Sequence, residues 1–106
     1  MNYDPNKLYH ELIEAGNDWA DKKAAYDLLE GNTKSVLANI KISYTGSEAH
    51  KTTMALGDTN YQVHLESVNE AKREFLFAQV KYDSMKALSD HRRTEQSTRR
   101  AEMKLT

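Results

Sequence analysis

Cysteine is absent from the 106-residue sequence, and proline and glycine are scarce, with one and four residues. The lack of cysteine excludes disulfide scaffolds, cysteine-ligated zinc sites and thiol nucleophiles. So few turn-forming residues argue against a β-rich architecture. They also argue against disorder, because disordered chains are usually enriched in these residues. Hydrophobic residues make up 39% and charged residues 29% of the chain, so there is less to bury than in an average globular protein.

Long hydrophobic runs are also missing, since no apolar stretch approaches the roughly 18 residues of a membrane span. The start of the chain, Met1–Pro5, lacks the basic and apolar regions of a signal peptide. We therefore expect a cytoplasmic protein that makes no membrane contact.

The sequence contains no recognisable catalytic or metal-binding motif. Its four histidines have no spacing typical of a metal site, and its glycines stand too far apart for a phosphate-binding loop. These histidines are His10, His50, His64 and His91. We predict that the protein is not an enzyme and that it has no catalytic residue, no metal, no cofactor and no small-molecule substrate.

A heptad pattern begins after Asp4, a candidate helix N-cap followed by Pro5 in the first turn. Its residues recur at alternating steps of four and three, the spacing of coiled-coil helices. They are Leu8, Leu12, Ala15, Trp19, Lys22, Tyr26, Leu29, Thr33, Val36 and Ile40. Gly31 and Asn32 are poor helix formers, but the heptad spacing continues across them in the same phase. We therefore expect one helix over about 5–43 that continues through this point or kinks there.

A second long helix is predicted over about 59–104, where neither glycine nor proline occurs. Its stripe has the same spacing and comprises Ala71, Phe75, Ala78, Tyr82, Met85, Ser89, Arg92, Gln96, Arg99 and Met103. Between the long helices, Gly46 is a candidate C-cap, Ser47 is a candidate N-cap for a short helix over about 47–56, and Asp58 is a candidate N-cap for the last helix. The predicted fold is a single all-α domain (1–106), an antiparallel hairpin of long helices with a short connecting helix.

A bare two-helix hairpin buries little apolar surface, and propensity alone does not stabilise isolated long helices. We therefore predict a coiled-coil-like protein that self-associates into a homo-oligomer. Four aromatic residues on the stripes are expected in the core or at the self-association surface, namely Trp19, Tyr26, Phe75 and Tyr82. Phe77 lies off the stripe, so it is the better candidate for a surface that becomes buried on assembly.

Charge is distributed unevenly along the chain. Residues 1–31 contain seven acids and three bases, a net charge of −4, whereas residues 69–106 contain six acids and nine bases, a net charge of +3. At 100° per residue, six polar residues near the end of the C-terminal helix fall within one arc of about 140°. This basic tail comprises Arg92, Arg93, Gln96, Arg99, Arg100 and Lys104.

Three kinds of contact are open to the basic tail. It can bind the phosphates of nucleic acid, or it can bind a protein partner with an acidic surface. It can also pair with the acids of the first helix, across the hairpin or across a dimer, which explains the charge gradient without a ligand. We favour this pairing, and its acidic residues would be Glu11, Glu14, Asp18 and Asp21.

The runs Lys81–Leu88 and Arg92–Met103 resemble small helical proteins encoded by tailed phages and prophages. The similarity covers about residues 60–104 and is most specific in Arg92-Arg93-Thr94-Glu95. Such genes often accompany phage recombination and single-strand annealing genes. The resemblance therefore implies an accessory role in phage DNA metabolism, in the cytoplasm of a host, and it transfers no catalytic residue.

From these observations we expect a non-enzymatic accessory or scaffold protein that binds a protein of DNA recombination or replication. One alternative is direct binding of single-stranded or duplex DNA through the basic tail. A further alternative is a phage inhibitor of a host defence system.

Overall fold

The computed structural model describes residues 4–105, and nearly all of these residues are helical. Four helices occur in this range: α1 (Pro5–Gly31), α2 (Thr33–Lys41), α3 (Glu48–Leu56) and α4 (Thr59–Leu105). No strand is present among the described residues. The prediction of an all-α fold is confirmed.

The chain divides into two compact units, each of which takes residues from α1 and α4. Unit 1 comprises Met1–Trp19 and Leu76–Thr106, and unit 2 comprises Ala20–Phe75. Within unit 2, the residues before α3 pair in antiparallel order with those after it. The predicted hairpin with a short connecting helix is therefore confirmed, and α3 is the connecting helix.

The junction of α1 and α2 keeps the helical hydrogen-bond ladder. The Asn32 amide donates to the Leu28 carbonyl at 3.2 Å, and the Val36 amide donates to the Asn32 carbonyl at 2.9 Å. Asn32 itself has helical dihedral angles, with φ −86° and ψ −5°. The chain thus passes through Gly31-Asn32 with only a local irregularity, as the unbroken heptad phase indicates.

The three predicted N-caps are confirmed. Asp4, Ser47 and Asp58 each accept a hydrogen bond from a backbone amide two or three residues further on, at 3.0, 3.2 and 2.8 Å. Each of these bonds satisfies an amide that has no partner inside the helix. The helix starts are therefore specified locally, by the residue that precedes each element.

The predicted role of Gly46 as a helix C-cap was wrong. Helix α2 already ends at Lys41, with Ile42 as its C-cap, and Gly46 lies in the turn before α3. Its φ of +114° falls in the region that favours glycine, because any other side chain would be strained there. Gly46 therefore allows the chain to reverse between the two helices.

The helical seam of unit 1 is built around one aromatic stack. The rings of Trp19 and Tyr82 lie 5.6 Å apart and nearly parallel, at 13°. Gly16 allows this close approach, since a Cβ there would lie 3.1 Å from the Tyr82 ring. The Trp19 Nε1–H is buried and has no hydrogen-bond partner among the described residues, a loss of about 1–3 kcal/mol. The stack therefore stabilises this seam through ring packing rather than hydrogen bonding.

The seam of unit 2 combines aromatic and polar contacts. The ring of Tyr26 lies 4.9 Å from that of Phe75, and the Lys23 ammonium lies 5.5 Å from the Phe75 ring centre. Further along, the Thr33 hydroxyl is hydrogen-bonded to His64 Nε2 at 2.9 Å. Thr33, a polar residue on the predicted apolar stripe, thus finds a polar partner on the facing helix.

Burial follows the predicted stripes along most of both long helices. Every stripe position from Leu8 to Ile40 and from Ala71 to Gln96 is buried or half-buried. The last two stripe positions, Arg99 and Met103, are exposed.

Helix register explains where the seam ends. Gln96 lies fourteen residues after Tyr82, and Pro5 lies fourteen residues before its stacking partner Trp19. In an antiparallel pair these positions are level, so α1 starts opposite Gln96. Beyond it, α4 continues past Pro5, the first residue of α1.

Substitution of two glycines by alanine should have opposite effects on the stability of the fold. Replacing Gly31 by Ala should stabilise the protein by about 0.5–1 kcal/mol, because Gly31 is helical and a Cβ there would meet nothing within 4 Å. Gly46→Ala should destabilise it by about 1–2 kcal/mol, because of the positive φ. Thermal melts followed by circular dichroism measure both, and a lower melting temperature for Gly31→Ala would contradict the helical conformation at that residue.

The seam aromatics should dominate stability. We expect Phe75→Ala and Tyr82→Ala each to destabilise the protein by about 3 kcal/mol, since each removes a ring packed against another ring. Tyr9→Ala is the control, because Tyr9 is 61% exposed and its loss should change stability by less than about 0.5 kcal/mol. Urea melts provide the comparison, and equal midpoints for all three variants would refute the seam assignment.

Candidate functional site

The basic tail is the most cationic surface of the C-terminal helix. Arg93, Arg99, Arg100 and Lys104 are exposed, whereas Arg92 and Gln96 are half-buried where α4 still lies beside α1. A shallow depression of about 320 Å³ in the tail is lined by Thr94, Glu95, Thr98, Arg99 and Glu102. Two of these five residues are acids, so the tail is a mixed surface with a positive excess rather than a continuous cationic strip.

An acidic groove lies between the helices of unit 1. It has a volume of about 670 Å³ and is lined by Glu11, Glu14, Ala15, Asp18, Lys81 and Met85. Three of the acids predicted to face the tail arginines therefore line this groove together with Lys81. The fourth, Asp21, belongs to unit 2.

The register of unit 1 places the tail arginines further along α4. Arg92 is ten residues beyond Tyr82 and is therefore level with Tyr9, which lies ten residues before Trp19. By the same count the position level with Arg99 falls outside the described residues. The pairing of the tail arginines with Glu11, Glu14, Asp18 and Asp21 stays a prediction.

The groove can provide negative charge to a partner. Glu11, Glu14 and Asp18 are all exposed, whereas acid–base chemistry by paired carboxylates requires that they occupy different environments. Across residues 4–105, histidine and carboxylate side chains form no group of three that could hold a metal ion. The chemistry that the groove offers is therefore electrostatic attraction to a cationic surface.

The five aromatic residues singled out from the sequence divide into two groups. Four are half-buried in the seams: Trp19, Tyr26, Phe75 and Tyr82. Phe77 is 63% exposed. On the same helix, Leu76, Val80 and Leu88 are 43%, 63% and 42% exposed. These residues form an apolar patch on unit 1, and only Phe77 among them was singled out from the sequence as a candidate assembly surface.

Sequence reasoning missed two polar pairs in unit 2. One is Thr33 with His64, and the other is Tyr44, whose hydroxyl donates to an Asp58 carboxylate oxygen at 2.5 Å. The hydrogen bond from Tyr44 lowers the pKa of Asp58. In turn, the bond to Asp58 raises the pKa of Tyr44. Thr33 carried a signal, because a polar residue on a heptad stripe needs a polar neighbour, whereas Tyr44 carried none.

The described part of the chain has no helix that combines the length and the apolar character needed to span a bilayer. No protein-family model, curated protein or solved structure matches this chain.

Proposed function

We propose that this protein is a non-enzymatic helical scaffold that works as a homo-oligomer and binds a protein partner. One observation carries the proposal. A compact monomer of 12.2 kDa exposes roughly 6,000 Å², whereas this chain exposes 8246 Å². The excess of about 2,000 Å² on one chain exceeds the roughly 800 Å² that each partner contributes to a standard protein–protein interface.

The small core supports the same proposal. Among the described residues only Leu8, Ala15, Ala55 and Ala78 are buried, and no large side chain is fully buried. Large hydrophobic residues lie exposed on several helices instead, among them Leu28 at 67% and Ile42 at 81%. Hydrophobic burial is the main favourable term in folding, so a chain of this kind gains stability when partners cover its surface.

The resemblance of residues 60–104 to phage accessory proteins supports a more specific partner. On that basis we propose a protein of DNA recombination or replication in the cytoplasm of a host. The exposed charges suit such contacts, since they present an acidic groove in unit 1 and a basic tail at the end of α4.

Direct DNA binding is the second candidate function. The observation that favours it is the exposure of Arg93, Arg99, Arg100 and Lys104 on the last turns of α4. Exposed cations on one helix face can contact successive phosphates and release counterions. The acids interleaved at Glu95 and Glu102 weaken that field, which is why protein binding ranks first.

The proposed scaffold predicts self-association. Sedimentation velocity at low micromolar concentration should give at least twice the 12.2 kDa mass of one chain. The melting temperature should rise with concentration, because association stabilises the folded state by mass action. A monomer at high micromolar concentration with a sharp melt would remove the proposal.

DNA binding has its own test. If the tail binds phosphate, replacing its exposed cations by Gln should lower affinity for a labelled oligonucleotide at least tenfold and flatten the dependence on salt. The tail variant changes Arg93, Arg99, Arg100 and Lys104. The control variant changes four exposed lysines elsewhere, Lys7, Lys34, Lys72 and Lys86, so both lose four charges. Equal losses in the two variants would show binding through net charge alone, and no binding by the parent would rule out this candidate.

A further inference from the structure

The outward face of α4 in unit 1 carries a second apolar stripe. Val80 lies two residues from both Ala78 and Tyr82, about 200° around the helix from each of these seam residues. The same outward side also carries Phe77, Ser84 and Leu88. All three are exposed, as Val80 is. Leu76 and Ala87 flank them and are also exposed. This outer stripe therefore faces away from the seam with α1.

We propose that the outer stripe is the interface at which a second copy of this chain packs its own α4, antiparallel and about a two-fold axis. The proposal rests on the self-association proposed above and specifies the surface that produces it. Successive steps of three and four, from Phe77 to Val80 and on to Ser84 and Leu88, are the spacings at which two helices interlock side chains. Val80 and Phe77, each 63% exposed, would be the main contributors.

The outer stripe is complementary to itself. A two-fold axis requires that each contact occur twice, with the two residues exchanged between copies. With the axis midway between Val80 and Ser84, Val80 of one copy meets Ser84 of the second. By the same symmetry Phe77 meets Leu88, and Leu76 meets Ala87. Each pair places a larger side chain against a smaller one, as interdigitated packing requires.

The exposed area supports a second copy as the occupant. Residues 76–88 extend over about 19 Å of helix, long enough for three successive steps of three or four residues from each copy. The chain exposes about 2,000 Å² more than a compact monomer of its mass, and a standard interface buries about 1,200–2,000 Å² in total. Pairing of two outer stripes removes apolar surface from both chains at once.

The first test replaces the centre and one end of the stripe by charge. In the double variant Val80→Glu with Leu88→Glu, like charges meet in the proposed interface, and we expect at least a tenfold weaker association by sedimentation velocity. Leu28→Glu is the control, because Leu28 is 67% exposed and lies on α1. Circular dichroism checks that all variants stay helical. Association of the double variant at the affinity of the parent would overturn the interface.

The second test uses the absence of native cysteine and does not depend on destabilising substitutions. Val80→Cys and Ser84→Cys chains are prepared separately, mixed and oxidised with copper phenanthroline. Antiparallel pairing brings position 80 of one copy to position 84 of the other, so the mixture should form more disulfide-linked dimer than either variant alone. A higher yield from the separate variants, or no linked dimer at all, would refute the antiparallel pairing.

The outcomes separate this interface from the proposed function. A parent that sediments as a monomer would remove both self-association and the interface. A parent oligomer with unchanged association in the Val80/Leu88 variant would keep self-association and reject the outer stripe. Loss of association in that variant, with the Leu28→Glu control intact and the mixed disulfide formed, would establish the stripe.

Discussion

The pairing of the long helices in this protein depends on the packing of a narrow apolar seam between them. In unit 1 the seam centres on the stack of Trp19 and Tyr82, and in unit 2 it centres on the contact of Tyr26 with Phe75. Aromatic rings suit a seam of this width because each buries a large area from a single position. The small residues Gly16 and Ala78 let the backbones approach closely enough for the rings to meet. Helix propensity extends the helices, but ring packing holds them together.

A seam of this kind leaves most of each helix in solvent, and the protein's functional possibilities follow from that. Exposed hydrophobic residues on a small monomer mark surfaces for contact with other molecules when they form a patch. The outer stripe of α4 is such a patch, whereas Leu28 and Ile42 stand apart from it in sequence and in unit. In the proposed oligomer, apolar surface that one chain leaves exposed is buried against a second copy.

The charged surfaces follow a different logic. The acids of α1 line a groove with Lys81, and the exposed cations of the tail lie further along α4. Exposed ion pairs contribute little to stability, so this separation costs the fold little. Opposite charges at separate places on one chain instead favour contacts between chains and orient partners as they approach.

The sequence by itself determined the helices and their buried faces, because these depend on local chemistry. Heptad spacing predicted each seam position up to Gln96, and the N-caps at Asp4, Ser47 and Asp58 follow from single side chains next to the helix starts. Only the tertiary structure decided which residues meet across the seam, where the seam ends opposite Pro5, and which acids share the groove with Lys81. Those contacts depend on the register between helices. Within unit 2, the positive φ of Gly46 and the Tyr44–Asp58 hydrogen bond lie in the segment where the chain reverses between α2 and α4. A periodic stripe packs nearly as well after a shift of one heptad, so no local pattern specifies the register.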